Sequence, residues 1–293
     1  MSDYAPPLIS AQRLIGGRSY DFSRRVVVMA IVNRTPDSFH DRGRTFALEK
    51  ATEAVRKAAG AGADWIDIGG VPFAPGPEVS AAEELDRVLP VVEAAQGLAV
   101  VSVDTFRPEV AEAVIKAGAG VINDTSGLRD VRMAEIVADS DATLVITHSL
   151  AAPRTLHPSP QYQDVAKEIA DFLRSRVETA LAHGVRPEQI VIDPGHDLNK
   201  NTLHTLELTR RLREIADLGH PLLAAVSNKD FIGETLDAPQ HERLAGTLAA
   251  LVFTILHGAR IVRVHDVKAA VDAVHMTEAL LGLRAPAYLS HNI

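Results

Sequence analysis

Eight times along these 293 residues a short aliphatic run ends in a polar residue and gives way to a helical stretch. The runs are Val26–Val32, Trp65–Gly70, Val100–Val103, Gly120–Ile122, Thr143–Thr147, Ile190–Ile192, Leu222–Val226 and Ile261–Val264. Runs this short and this rich in Val and Ile, alternating with amphipathic helices, have the pattern of parallel strands buried on both faces. Eight such units in a chain of this length predict an α/β fold, a closed (β/α)8 TIM barrel. That architecture gathers the residues just past each strand's C-terminal end around one mouth, where barrel enzymes place their chemistry. Here those positions hold Asn33, the segment after Gly70, Asp104, Asn123-Asp124, His148, Asp193, Ser227-Asn228-Lys229 and His265-Asp266.

The rhythm runs without a linker, so one domain is expected over 1–293, with the barrel over 26–283 and an extension over 1–25. Within that extension, alternating residues flank Gly16-Gly17 across Ile9–Phe22, which predicts a short β-hairpin closing the bottom of the barrel. Helices are expected at Ala47–Ala61, Ala81–Gln96, Asp164–Ala182 and Glu242–His257. The last is apolar almost all round (Leu248, Leu251, Val252, Phe253, Ile255, Leu256), which points to packing on a second copy and hence a homodimer. A net charge of −8 with no Lys/Arg block argues against nucleic-acid or membrane-surface partners. The lack of cysteine excludes disulfides, thiolate catalysis and cysteine-bound zinc. The polar start, Met1 to Pro7, does not read as a signal peptide, and a cytoplasmic protein is expected.

The chemistry lies in the strand-end residues. Asp104, Asn123 and Asp193 converge on one cavity and offer acceptors and an amide, suited to a flat heterocycle bearing several N–H donors. Each alone is explained by turn formation; three together are not, because unpaired buried carboxylates are costly. Lys229, Arg263 and His265 place cations and an imidazole at one rim, as an anionic leaving group such as diphosphate requires. A structural network of Arg263 and Lys229 with Asp193 or Asp104 is the competing explanation. Asn33 stands where a metal or diphosphate oxygen is held, at the start of a polar, Pro-broken loop running to Asp41. The loop from Gly69 to Pro77 is rich in Gly and Pro and carries no ionisable side chain. His148 is placed to line the mouth, His196 is ambiguous, and His183, His220, His257 and His275 read as incidental.

The pattern resembles the dihydropteroate synthase family over nearly the whole chain. Asn33 to Asp41 is similar to that family's Asn-Val-Thr-Pro-Asp-Ser-Phe-Ser-Asp loop. Asp67-Ile68-Gly69-Gly70, Ser102-Val103-Asp104-Thr105, Ile122-Asn123-Asp124, Asp193-Pro194-Gly195 and Arg263-Val264-His265-Asp266 match in order. The resemblance implies a pterin held by Asp104, Asn123, Asp193 and Lys229, and a diphosphate with Mg²⁺ near Asn33, Arg263 and His265. Asn33 would then be the metal-side residue, and Asn33, Lys229 and Arg263 the catalytic ones. The implied reaction is loss of diphosphate from a hydroxymethyl-dihydropterin diphosphate and attack by an aromatic amine on the exposed methylene.

The departures fall on the acceptor side. Where the family usually reads Gly-Gly-Glu-Ser-Thr-Arg-Pro-Gly, the Thr and Arg positions are Phe73 and Ala74. Ser-Arg-Lys-Ser becomes Ser227-Asn228-Lys229-Asp230, and Gly-Phe-Gly-Lys becomes Asp197-Leu198-Asn199-Lys200, so Leu198 removes an aromatic wall. A carboxylate about 4 Å from another costs roughly 4 kcal/mol at an effective dielectric near 20, about a thousandfold in affinity. Asp230 would repel p-aminobenzoate on that basis unless Arg34, where the family has Val, pairs with it or replaces the charge lost at Ala74. Three functions follow: a divergent paralogue with weak or no dihydropteroate synthesis, a working synthase, or a pterin-binding protein without turnover. The first is favoured, because changes cluster on one substrate's side while the other is intact; its amine acceptor is left open, a cationic amine drawn by Asp197 and Asp230 among the candidates.

Overall fold

A computed structural model describes residues 7–34, 44–157 and 159–291. Most of the loop expected over the mouth, from Thr35 to Asp41, lies outside the described residues. Two strands open the chain, β1 (Gln12–Ile15) and β2 (Arg18–Asp21), paired antiparallel. Gly16 and Gly17 turn between them with φ of 53° and 73°, the left-handed pair that a two-residue hairpin needs. Eight parallel strands follow: β3 (Val27–Asn33), β4 (Trp65–Gly69), β5 (Val100–Asp104), β6 (Val121–Asp124), β7 (Thr143–Thr147), β8 (Ile190–Asp193), β9 (Leu222–Ala224) and β10 (Ala259–Val264). They close in chain order, β10 returning to pair with β3.

Each expected strand is present; β3, β5, β6 and β8 run into the polar residue that follows the apolar run, and β7 and β10 stop one residue short of it. The shortest is β9, which stops at Ala224, two residues early, and pairs with β8 through Ile192 and Leu222 alone. The intervening helices are α1 (Arg44–Gly60), α2 (Ala81–Ala95), α3 (Pro108–Lys116), α4 (Arg132–Ala138), α5 (Val165–Ala182), α6 (Thr202–Arg210), α7 (Leu212–Ala216), α8 (Asp230–Leu236), α9 (Leu244–Leu256) and α10 (Val267–Leu280). Ser80 starts α2 with a reciprocal cap, its hydroxyl accepting from the Glu83 N–H while Glu83 accepts from the Ser80 N–H. The helix expected from Glu242 begins at Leu244, after a 3-10 turn at Gln240–Glu242.

Strand periodicity divides the core into two layers. Outward residues such as Ile66, Ile68, Val101, Val103, Ile122, Leu144, Ile146 and Ile192 pack against the helices through Val88, Val92, Val110, Ile169 and Leu173. Inward residues at the lower end (Met29, Trp65, Val100, Val121, Val145, Val191, Leu223, Ile261) fill the barrel, and Ile15, Tyr20 and Phe22 of the hairpin plug it from below. Two residues further along six of the eight strands the interior turns polar: Asp67, Ser102, Asn123, Thr147, Asp193 and Arg263. The change of polarity leaves the site as a pit above an apolar floor. No described helix is long and apolar enough to cross a membrane.

Candidate active site

Three carboxylates, an amide and two cations share the pit. Asp67, on β4, is fully buried and accepts from Ser102 Oγ at 2.6 Å, Asn123 Nδ2 at 3.1 Å and Arg263 Nε at 2.6 Å. Arg263, on β10, also reaches Asp104 Oδ2 at 3.3 Å through Nη2. Burial alone would lower the Arg263 pKa, but Asp67 and Asp104 more than offset it, so the guanidinium is firmly charged. Asp104, at the end of β5, keeps 19% of its side chain exposed. Burial pushes its carboxyl up to about 7, the Asp67 carboxylate adding to the rise and Arg263 opposing it.

Asn123 offers the clearest ligand signal. Its Nδ2 is spent on Asp67, and its Oδ1 is buried without a partner. A buried amide oxygen left unmatched is costly, so it calls for an N–H donor from a bound molecule. Asp193, at the end of β8, accepts from the Gly195 N–H at 2.7 Å. Burial raises its pKa, against the pull of that N–H, Lys229, Arg263 and Lys200. Lys229 precedes α8 and donates through Nζ to the His196 carbonyl; burial lowers its pKa, with Asp197 and Asp193 opposing. His265 Nδ1 lies 3.0 Å from Ser227 Oγ, and burial, then Arg263, depress its pKa. The fixed charge at this rim is Arg263, with the Lys229 ammonium beside it.

Asn33 ends β3 on the open side of the pit, its Oδ1 2.9 Å from where a Cβ on Gly69 would stand. A Cβ at 69 would make the Asn33 side chain shift. Among the described residues no group of His, Cys, Asp or Glu could hold a metal ion. Asn33 supplies one neutral oxygen, which suits a cation brought in on phosphate oxygens rather than one caged by protein.

The acceptor side is arranged differently from expectation. Arg34 is buried and folds back onto α2, donating to the carbonyls of Asp86 at 2.9 Å and Arg87 at 2.7 Å. The ion partner of Asp230 is instead Arg243, at 3.0 Å, and the Asp230 side chain is 85% exposed. A carboxylate so exposed and already paired is screened, which removes most of the repulsion calculated for a buried pair. Asp230→Ser is accordingly expected to change p-aminobenzoate affinity less than about threefold, read by calorimetric titration.

Phe73 and Ala74 lie in a loop that another loop holds down. Arg154, between β7 and α5, donates to the carbonyls of Pro72 (3.1 Å), Ala74 and Pro77 (2.8 Å), and its own N–H to Phe73 O (2.9 Å). A cavity of about 360 Å³ lies against this loop, lined by Phe73, Pro75, Leu156, His157, Asp197 and Asn199. Leu198 is half-buried, and its carbonyl accepts from the Lys200 ammonium. That lysine is itself buried, with Gly195 O at 2.9 Å and His148 Nδ1 at 3.0 Å. His148 therefore sits beneath the loop after β8, edge-on to Phe172, and does not line the mouth. His220, read as incidental, is buried rather than on a surface.

Sequence reasoning missed Asp67, Ser102, Lys200, Arg154 and Arg243. For Asp67 and Ser102 a signal was present: a charge and a hydroxyl inside strands otherwise apolar enough to be buried on both faces. The other three act through main-chain carbonyls or distant side chains, which no local pattern marks.

A model of the family described as pterin binding enzyme matches residues 29–265. The chain belongs to that family. The match runs from β3 through to His265, so every strand end that builds the pit is covered. It is 44% identical over 270 residues to the inactive dihydropteroate synthase 2 of Mycobacterium tuberculosis, across 89% of this chain and 85% of that one. It is 40% identical over 271 residues to the dihydropteroate synthase of Escherichia coli, across 92% and 96% of the two chains. The solved dihydropteroate synthase of Xanthomonas albilineans with 4-aminobenzoic acid superposes with a TM-score of 0.86 at 38% identity, covering 93% of this chain and 98% of that one. The chain is thus a divergent dihydropteroate synthase homologue.

Proposed function

We propose that the chain binds a hydroxymethyl-dihydropterin diphosphate in the barrel mouth and makes little or no dihydropteroate. The observation that carries this reading is the contrast between the two sides of the pit. On one side Asp104, Asn123, Asp193, Lys229 and Arg263 converge, with the Asn123 oxygen waiting for a donor. On the other, Phe73 and Ala74 replace the hydroxyl and guanidinium of the usual family pattern, and their loop's carbonyls are held by Arg154. The M. tuberculosis relative carries the word inactive in its name.

Asp104, Asn123 and Asp193 would take the N–H donors of the pterin, with Lys229 beside its ring. Arg263, Asn33 and His265 would face the diphosphate. Its departure breaks the bond between the exocyclic methylene carbon and the bridging oxygen, and the electron pair leaves on oxygen. Arg263 and Lys229 are placed to meet that charge. Mg²⁺ carried on the diphosphate, with one oxygen from Asn33, would neutralise further charge when bound. In a complete turnover an amine lone pair then forms the C–N bond and the nitrogen loses a proton. The loss of one charged and one neutral hydrogen bond on the acceptor side removes about 3 to 4 kcal/mol, a hundredfold to a thousandfold in rate. Phe73, Ala74 and Leu198 form the altered acceptor wall in this reading, while Arg34 is turned to the α2 carbonyls and Asp230 to Arg243.

The deciding experiment measures diphosphate release with Mg²⁺, with and without p-aminobenzoate. Slow release without stimulation is expected; stimulation to an ordinary turnover rate identifies a working synthase and overturns the proposal. Asp104 adds a pH dependence. Its carboxyl, held near 7, must be ionised to accept from the pterin, so affinity should fall as pH drops through 7, at most about tenfold per unit. Titration calorimetry between pH 5.5 and 8.5 checks the sign; affinity flat across that range removes Asp104 from the binding set.

A homodimer is part of the same reading. The outer faces of α9 and α10 expose Leu244, Phe253, Leu256, Met276 and Leu280, an apolar surface that a second copy would cover. A cytoplasmic location is the setting we propose for it.

A further inference from the structure

Asp67 has no place among the strand-end residues, since it lies in the middle of β4, fully buried. Both of its oxygens are occupied. Oδ1 accepts from Ser102 Oγ at 2.6 Å, and Oδ2 accepts from Asn123 Nδ2 at 3.1 Å and Arg263 Nε at 2.6 Å. We propose that Asp67 is the positioning residue of the pterin site: it decides which atom of the Asn123 amide faces the ligand, and it aims the Arg263 guanidinium. The inference rests on the pterin-site reading above and adds to it the origin of donor selectivity.

An ionised carboxylate has only acceptors, so the Asn123 amide must turn its NH₂ toward Asp67. Rotated by half a turn, the amide would set two oxygens about 3.1 Å apart with no hydrogen between them. The outcome is the unpartnered Oδ1 on the far side, which accepts a ring or exocyclic N–H and rejects a ligand presenting an acceptor there. Arg263 is fixed by the same oxygen. Its Nε bond to Asp67 and its longer Nη2 bond to Asp104 hold the guanidinium at two points. With both oxygens engaged and no exposed surface, Asp67 acts through these two neighbours and does not touch the ligand.

The test is Asp67→Asn, close to isosteric, and the double variant Asp67→Asn/Asn123→Asp, in which donor and acceptor trade places. Binding of 6-hydroxymethyl-7,8-dihydropterin should weaken about 50-fold in the single variant, and the double variant should recover at least about tenfold of it. A structural role alone gives no such recovery, because the second change repairs only the polarity of the amide pair. Hydrogen exchange of the Arg263 Nε–H, slow in the unaltered protein, should become fast in Asp67→Asn. An affinity within threefold, or an Nε–H that stays protected, overturns the proposal. Should the single variant not fold, a folded double variant that fails to bind overturns it, and one within tenfold of the unaltered protein supports it. If the unaltered protein does not bind the dihydropterin, the pterin-site reading fails, and the Nε–H exchange by itself decides whether Asp67 positions Arg263.

Discussion

Replacing Asp193 with alanine is expected to weaken dihydropterin binding by about a hundredfold to a thousandfold, some 3 to 4 kcal/mol. The carboxylate ends β8, is the acceptor proposed for the pterin, and is the counter-charge to Lys229, Arg263 and Lys200. Its removal deletes the bonds to the ligand and leaves those cations facing one another, and it orphans the Gly195 N–H now held at 2.7 Å. Asp193→Asn keeps one oxygen for Gly195 and should cost less. Titration calorimetry with 6-hydroxymethyl-7,8-dihydropterin on the folded variant gives the answer. Affinity retained within tenfold would mean that the pterin does not sit on Asp193.

Lys200→Met is expected to cost stability rather than chemistry, about 3 kcal/mol and on the order of 8 °C in Tm. The methionine keeps the apolar stem but leaves Gly195 O, Leu198 O and His148 Nδ1 buried without their partner. Those bonds tie the loop after β8 to the end of β7, where Asn199 also accepts from the Ala151 N–H at 2.8 Å. Burial lowers the Lys200 pKa to about 7, with Asp193 opposing. The sign follows from proton counting: between about 7 and 10.5 the unfolded chain holds a proton that the folded one does not, so this group makes stability rise with pH. Below 7 that gain is lost. Denaturant unfolding from pH 7 to 10 should therefore show a slope in the unaltered protein that is weaker in Lys200→Met. Equal slopes would show that Lys200 stays charged throughout.

The pattern of short Val/Ile runs and amphipathic helices made the barrel legible, because a strand buried on both faces has almost no other way to be written. The same pattern brought Asp104, Asn123, Asp193, Lys229 and Arg263 to one mouth, since each follows or ends a parallel strand and the strands all point one way. Asp67 was quoted within a motif yet given no role, because it stands one inward position below the Gly69 strand end. Its importance appears only when Arg263, 196 positions later in the chain, closes the barrel beside it.

Residue type and period, both readable along the chain, thus determined the fold, the mouth and which polar groups surround it. The tertiary structure decided which partner each charge takes. Arg34 went to the Asp86 and Arg87 carbonyls, Asp230 to Arg243, and Arg154 to the loop carrying Phe73 and Ala74. A guanidinium or ammonium bonds whatever acceptor lies within about 3 Å, and side-chain identity does not say which acceptor that is. The way the β/α units close around the barrel brings the acceptor within reach.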